Sequence, residues 1–208
     1  MTPASHPEWL AWAREIQSLC QTGLAFCLTG YDRHRYTRIM EIAAEIVASH
    51  STLERDPVLA AFLRQPGYAT PKIDVRGAVV RGGKILLVQE RADEKWCLPG
   101  GWADVGDVPS AMVVREVFEE SGINAVARKV VGIYDANRVG ALEFFHAFKI
   151  VFLCDDLGGE LRGSDETLDA RFFDFTGLPV LSSPRTDPRH LEEIRAHLGD
   201  PARPAAFD

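Results

Sequence analysis

The chain has 208 residues, 23 of them Lys or Arg and 30 Asp or Glu, for a net charge of −7. That balance excludes a nucleic-acid grip spread over the whole surface, and no apolar run approaches the ~20 residues a membrane-spanning helix requires. Four cysteines without paired metal-ligand spacing, and an N-terminus without the basic-then-apolar order of a signal peptide, predict a reduced, soluble, cytoplasmic protein.

Residues 1–65 read as a small helical domain. Trp9, Trp12, Ile16, Leu19 and Cys20 recur at three- and four-residue steps after Pro7-Glu8, which predicts an amphipathic helix. Gly30-Tyr31-Asp32 interrupts that period. Tyr36, Ile39, Met40, Ala43, Ala44, Ile46 and Val47 resume it, with Asp32 as the expected N-cap. A third short helix is expected with Asp56 as cap, Pro57 first, and Val58, Leu59 and Phe62 inward. The run Asp32–Arg38 is locally basic. Residues 1–70 nevertheless hold six arginines and no lysines against seven acids, which argues against a DNA-reading domain. Gln65-Pro66-Gly67-Tyr68 is a turn, and residues 66–208 form the second expected domain.

From Lys72 the period shortens to two. Ile73, Val75 and Val79 alternate with Asp74 and Arg76 as in a strand, and Gly82-Gly83 before Lys84–Gln89 predicts a tight hairpin. Trp96 leads into the loop Leu98-Pro99-Gly100-Gly101. Pro109 opens a helix that Gly122 closes. Val108 is a poor cap, so Asp107 is expected to assist there. Beyond it, 125–134 and 142–154 read as strands, the second central, with Tyr134, Phe144 and Phe145 as core rather than base-stacking aromatics. A turn at 155–163, an acidic loop at 164–169, an aromatic strand, a helix over 187–198 and a loose tail from Pro201 complete the expectation.

The chemistry concentrates in the helix after Pro109. Glu116, Glu119 and Glu120 stand at i, i+3 and i+4, so one helical face gathers three like charges with no basic residue in the following turn. Carboxylate oxygens in that arrangement suit a hard divalent cation, Mg²⁺ or Mn²⁺. Arg115 can orient a neighbouring carboxylate through its planar fork.

The whole segment, Gly101, five residues, Asp107, seven residues, then Arg115-Glu116-Val117-x-Glu119-Glu120-x-Gly122-Ile123, resembles the Nudix box of the Nudix hydrolase family, with Asp107 in place of the usual glutamate. The resemblance implies a mixed-sheet α/β/α sandwich preceded by the helical domain. It also implies metal held by Glu116, Glu120 and the Gly100 carbonyl, with Glu119 shared or acting through water. Glu166 or Glu120 would deprotonate the attacking water, and Arg91 or Arg76 would touch substrate phosphates. Trp9-Leu10-x-Trp12-Ala13, Gln21-Thr22-Gly23-Leu24 and Glu41-Ile42-Ala43-Ala44-Glu45 further resemble the helical extension of an ADP-ribose pyrophosphatase-like subfamily with CDP-choline pyrophosphatase among its members. In that group the extension helps to build a homodimer. The implied substrate is a nucleoside diphosphate-linked small molecule, CDP-choline or ADP-ribose first, cleaved to a nucleoside monophosphate and a phosphorylated X. Two other readings stay open: housecleaning of nucleoside triphosphates by the same chemistry, and a nucleotide-sensing regulator built on the same fold.

Overall fold

A computed structural model describes residues 7–104, 106–136 and 146–208. They divide into two compact units, one running to Pro71 and one beginning at Lys72.

The first unit holds α1 (Glu8–Phe26), α2 (Gly30–His50) and α3 (Arg55–Leu63). Its core is Ala13, Cys20, Met40, Ala43, Ala44, Val47, Val58 and Phe62. The alanines let helices approach closely, and Gly23 lies so near the Tyr36 ring that a Cβ would collide with it. The inward stripe of α1 is displaced from the expected one: Leu10, Ala13, Gln17 and Cys20 are buried, whereas Trp12 and Leu19 are exposed. Both expected caps are also displaced. Thr29 caps α2, its hydroxyl oxygen accepting from the Asp32 amide at 3.0 Å, so Gly30 begins the helix instead of breaking it. Glu54 precedes α3, and Pro57 falls third rather than first, still within the turn where a missing N–H goes unfelt.

The second unit is built on β1 (Lys72–Arg81), β2 (Lys84–Glu90), β3 (Trp96–Cys97), α4 (Pro109–Ser121), β4 (Ile123–Asp135), β5 (Ala147–Gly159), β6 (Thr167–Asp174), α5 (Pro188–Gly199) and β7 (Ala206–Phe207). The sheet runs β3-β2-β1-β5-β4-β7, with β6 also paired to β2. It is mixed: β1 lies parallel to β5 and β4 parallel to β7, the other pairs being antiparallel. Gly82 and Gly83, at φ 57° and 79°, make the two-residue turn between β1 and β2, where left-handed residues match the strand twist.

One apolar layer packs Val75, Val79, Leu86 and Phe152 against Met112, Val113 and Val117 of α4. The opposite layer packs Ala78, Ile85, Leu87 and Val151 with Leu191 and Ile194 of α5. The sheet is therefore covered on both faces. That is why the polar side of β1 is not solvated: Asp74 and Arg76 alternate with the apolar residues as expected yet are buried.

Strand β5 lies between β1 and β4, as expected of a central strand, but it continues to Gly159, where a turn from 155 was expected. Its end is held by antiparallel pairing with the start of β4 and by Arg81 on Asp156. Phe144 and Phe145 lie outside the described residues, and Tyr134 is core. The expected loose tail is anchored. Lys129 Nζ donates to the carbonyls of Pro201 and Arg203, Arg203 forks onto Glu193, and Ala206 and Phe207 pair with Gly132 and Ile133. No helix among the described residues is long and apolar enough to cross a membrane.

Candidate active site

The loop after β3 is stitched to β1 by backbone bonds. The Val75 amide donates to the Gly101 carbonyl at 3.0 Å, the Gly77 amide to that of Pro99 at 2.8 Å, and the Ala103 amide to that of Ile73 at 2.9 Å. Gly100 sits at φ +144°, and a Cβ there would run into the Val75 carbonyl, so only glycine fits.

Helix α4 arrives beside this loop without a side-chain cap; Pro109 starts it and Gly122, left-handed at φ 75°, ends it. The Gly100 amide donates to Glu120 Oε2 at 2.9 Å. Glu120 is only 6% exposed, and burial pushes its carboxyl up to about 8 although the Arg76 charge opposes the shift. Glu116 is half-buried and is also raised, first by burial and further by the charges of Glu119 and Glu166, with Arg115 pulling the other way. Gly101 faces it: a Cβ there would stand 3.3 Å from Glu116 Oε2. Glu119 is exposed, 3.9 Å from Arg115 Nε.

Asp107 does not reach the helix N-terminus as expected. Its oxygens accept from the Asp104 amide at 3.1 Å and from both arms of Arg115. The Arg115 hydrogen bonds hold the Asp107 carboxyl below its ordinary value. The Arg115 fork therefore closes on Asp107, and one arm also reaches Glu116 at 3.4 Å.

Glu166 precedes β6 in a turn built by Ser164, whose hydroxyl accepts from the amides of Glu166 and Thr167. Thr167 Oγ1 donates to the Glu120 carbonyl at 2.9 Å, which binds this turn to the C-terminal end of α4. Arg91 grips the same turn from the other side, Nε on the Asp165 carbonyl and Nη2 on that of Ser164. Arg76 is placed otherwise than a phosphate-binding arm requires. It is 6% exposed, with Nε on Asp74 Oδ1 and Nη1 on the Leu98 carbonyl. Thr167 and Arg76's partner Asp74 escaped the sequence reading. Asp74 gave no signal, because with Arg76 it fits the solvated side of an alternating strand, and a single threonine gave none.

Among the described residues no three His, Cys, Asp or Glu side chains are already drawn together as a cage. The residues present still fit a hard divalent cation. Their donors are all oxygen, and one carboxylate is buried against an amide with its charge poorly offset. The charges of Glu119 and Glu166 add to the raising of Glu116, as like charges do.

Comparison with known proteins agrees with this geometry. Residues 7–62 match the family model described as a UDP-X-like, N-terminal oligomerisation domain, and residues 71–196 match the NUDIX domain. A protein of Bacillus subtilis (strain 168) named "Putative ADP-ribose pyrophosphatase YjhB" is 37% identical over 202 residues, 97% of each chain. An ADP-ribose pyrophosphatase of Methanocaldococcus jannaschii is 36% identical over 121 residues, 55% of this chain and 69% of that protein. Among solved structures, an ADP-ribose pyrophosphatase from Streptococcus suis superposes with a TM-score of 0.60 at 36% identity, covering 67% of this chain and 100% of the other. A UDP-X diphosphatase superposes at 0.62 and 29% identity, covering 97% and 98%. With a carboxylate-bearing box helix against a glycine loop and a family match over most of its length, the chain belongs to the Nudix family as a pyrophosphohydrolase preceded by a UDP-X-like oligomerisation domain.

Proposed function

We propose that the protein hydrolyses the diphosphate bond of nucleoside diphosphate-linked compounds, ADP-ribose foremost, to a nucleoside monophosphate and a phosphorylated X. The observation that carries the reaction is Glu120, buried and bonded to the Gly100 amide beside Glu116. The full-length likeness to a protein named for ADP-ribose supports the substrate.

Glu116, Glu120 and the Gly100 carbonyl would hold Mg²⁺ or Mn²⁺, with Glu119 reaching it through water. A divalent cation supplies neutralisation of the diphosphate and acidification of water. Glu166, exposed on a turn fixed to α4, accepts the proton of the attacking water. The water oxygen bonds to phosphorus as the bond from phosphorus to the bridging oxygen breaks. Arg115 keeps Glu116 in place and is itself kept in place by Asp107. Arg91 acts by fixing the Glu166 turn.

The helical domain of residues 1–65, ahead of a hydrolase domain of residues 66–208, would pair two copies into a homodimer. Trp12, Leu19, Phe26 and Leu28 are exposed apolar residues on or beside α1 that suit such a role. Light scattering checks it, and a monomer at working concentration removes the claim.

The test of function is a hydrolysis panel in Mg²⁺ with ADP-ribose, UDP-linked sugars and CDP-choline, read by phosphate release after phosphatase treatment, and with nucleoside triphosphates, read directly by pyrophosphate release. UDP-linked sugars are the second reading, favoured by the N-terminal match and the UDP-X diphosphatase likeness over nearly the whole chain. Cleavage of triphosphates alone points to housecleaning. Binding without turnover of any compound overturns the hydrolase assignment in favour of a sensor.

A further inference from the structure

Three charged side chains outside the proposed reaction are buried together: Asp74 and Arg76 on β1 and Lys149 on β5, each less than a tenth exposed. Burying charge is costly, and well-packed apolar residues are often at least as stable, so stability alone is a weak reason for them. Their partners suggest another. Asp74 stands opposite Lys149 in the parallel register. Its Oδ1 accepts from Arg76 Nε at 3.0 Å, and its Oδ2 lies 3.3 Å from Lys149 Nζ.

Each cation then reaches a backbone. Arg76 Nη1 donates to the Leu98 carbonyl at 3.1 Å, and Lys149 Nζ donates to the carbonyls of Pro184 and Arg185 at 2.8 and 2.6 Å. The next residue is Thr186, fully buried, whose Oγ1 accepts from the Leu98 amide at 2.8 Å. The path closes on itself: Asp74, Arg76, Leu98, Thr186, the 184–185 backbone, Lys149 and Asp74 again. Both backbone groups of Leu98 are therefore held, the carbonyl by a cation and the amide by a hydroxyl. Two residues further on is Gly100, whose amide holds Glu120.

We propose that this closed ring is a positioning clamp: by fixing Leu98 at both backbone groups, it sets the Gly100 carbonyl and Glu120 where a divalent cation is to be bound. The inference rests on the reading above that these two groups take the metal. A clamp explains why the members are polar, since an apolar replacement could fill the space but could not grip a backbone carbonyl and an amide. It also gives Arg76 a role that needs no access to substrate. Removal of groups that orient metal ligands costs metal affinity or activity about 10–100-fold.

The experiment is Mn²⁺ binding to the substrate-free protein, followed by electron paramagnetic resonance, with steady-state kinetics on the compound the panel selects. The wild type comes first: no Mn²⁺ bound means that the metal reading itself fails. Given binding, Thr186→Val removes the acceptor without stranding a charge, Arg76→Lys keeps the charge without the fork, and Thr186→Ser keeps the hydroxyl. The clamp requires Mn²⁺ affinity and kcat to fall about tenfold or more in Thr186→Val and Arg76→Lys, with KM nearly unchanged and Thr186→Ser close to wild type. A lowered melting temperature with wild-type Mn²⁺ affinity and kcat in the folded variants overturns it. Should Thr186→Val not fold, Arg76→Lys decides by the same two readouts.

Discussion

Arg115 closes both arms of its guanidinium on Asp107, Nη1 to Oδ1 at 3.0 Å and Nη2 to Oδ2 at 3.1 Å. An aspartate in place of the longer glutamate thus still meets the arginine, and the pair supports Glu116 from the solvent side. Asp107→Asn keeps the shape but weakens the fork, because charge-assisted bonds of this kind are about twice as strong as neutral ones. The expected outcome is reduced kcat with little change in melting temperature, and partial recovery in Asp107→Glu. A large loss of melting temperature with unchanged kcat would place the pair in stability alone.

Glu120 sets function against stability. In the metal-free protein burial raises its carboxyl to about 8, so at neutral pH folding must protonate a group that the unfolded chain leaves ionised. Glu120→Gln still accepts the Gly100 amide bond and carries no charge. Denaturation without metal at neutral to mildly alkaline pH is expected to show a gain of about 1 kcal/mol or more. Turnover in Mg²⁺ is expected to fall roughly 10²–10³-fold. A variant that is both less stable and fully active contradicts the assignment.

The two loop glycines differ in what they tolerate. Gly100→Ala combines a strained φ with a collision against the Val75 carbonyl, and is expected to disrupt the loop and abolish activity. Gly101→Ala meets only Glu116 Oε2 at 3.3 Å, and is expected to fold normally with weakened metal activation. Circular dichroism and Mg²⁺ titration of activity distinguish the two.

His190 gives the protein an acid-sensitive element away from the site. Its Nδ1 accepts the Asp187 amide at the start of α5, and burial pushes the imidazole down to about 2. The unfolded chain protonates its histidines near 6.5, so below that pH the unfolded state binds the extra proton and stability falls as the pH falls. The slope from this residue is up to about 1.4 kcal/mol per pH unit between 6.5 and 2. Urea denaturation at pH 7 and pH 5 measures it, and His190→Asn, which retains an acceptor, is expected to flatten the difference.

The reaction was legible in the chain because it depends on local spacing. Glu116, Glu119 and Glu120 are fixed relative to one another by a single helix, and Gly82-Gly83 by a two-residue turn. What escaped depends on tertiary pairing. Asp74 and Arg76 look like the wet side of a strand, and only a second covered sheet face buries them. The tail after Pro201 has a loop's composition and becomes ordered through Lys129 and the edge of β4. Trp12 and Leu19 satisfy helical periodicity yet lie outside the stripe that α1 buries, because periodicity defines a face but not which neighbour covers it.

Gly122 has a companion in Gly159, distant in sequence. A Cβ on Gly122 would strike the Glu160 carbonyl, and a Cβ on Gly159 would strike the carbonyl of Gly122. The two residues pass back to back where α4 leaves for β4 and β5 ends. The last glycine of the box is thus constrained twice, by its own left-handed turn and by a neighbour that no search for the box would inspect. A chain bearing a flawless box but a bulky residue at position 159 would have nowhere to put it.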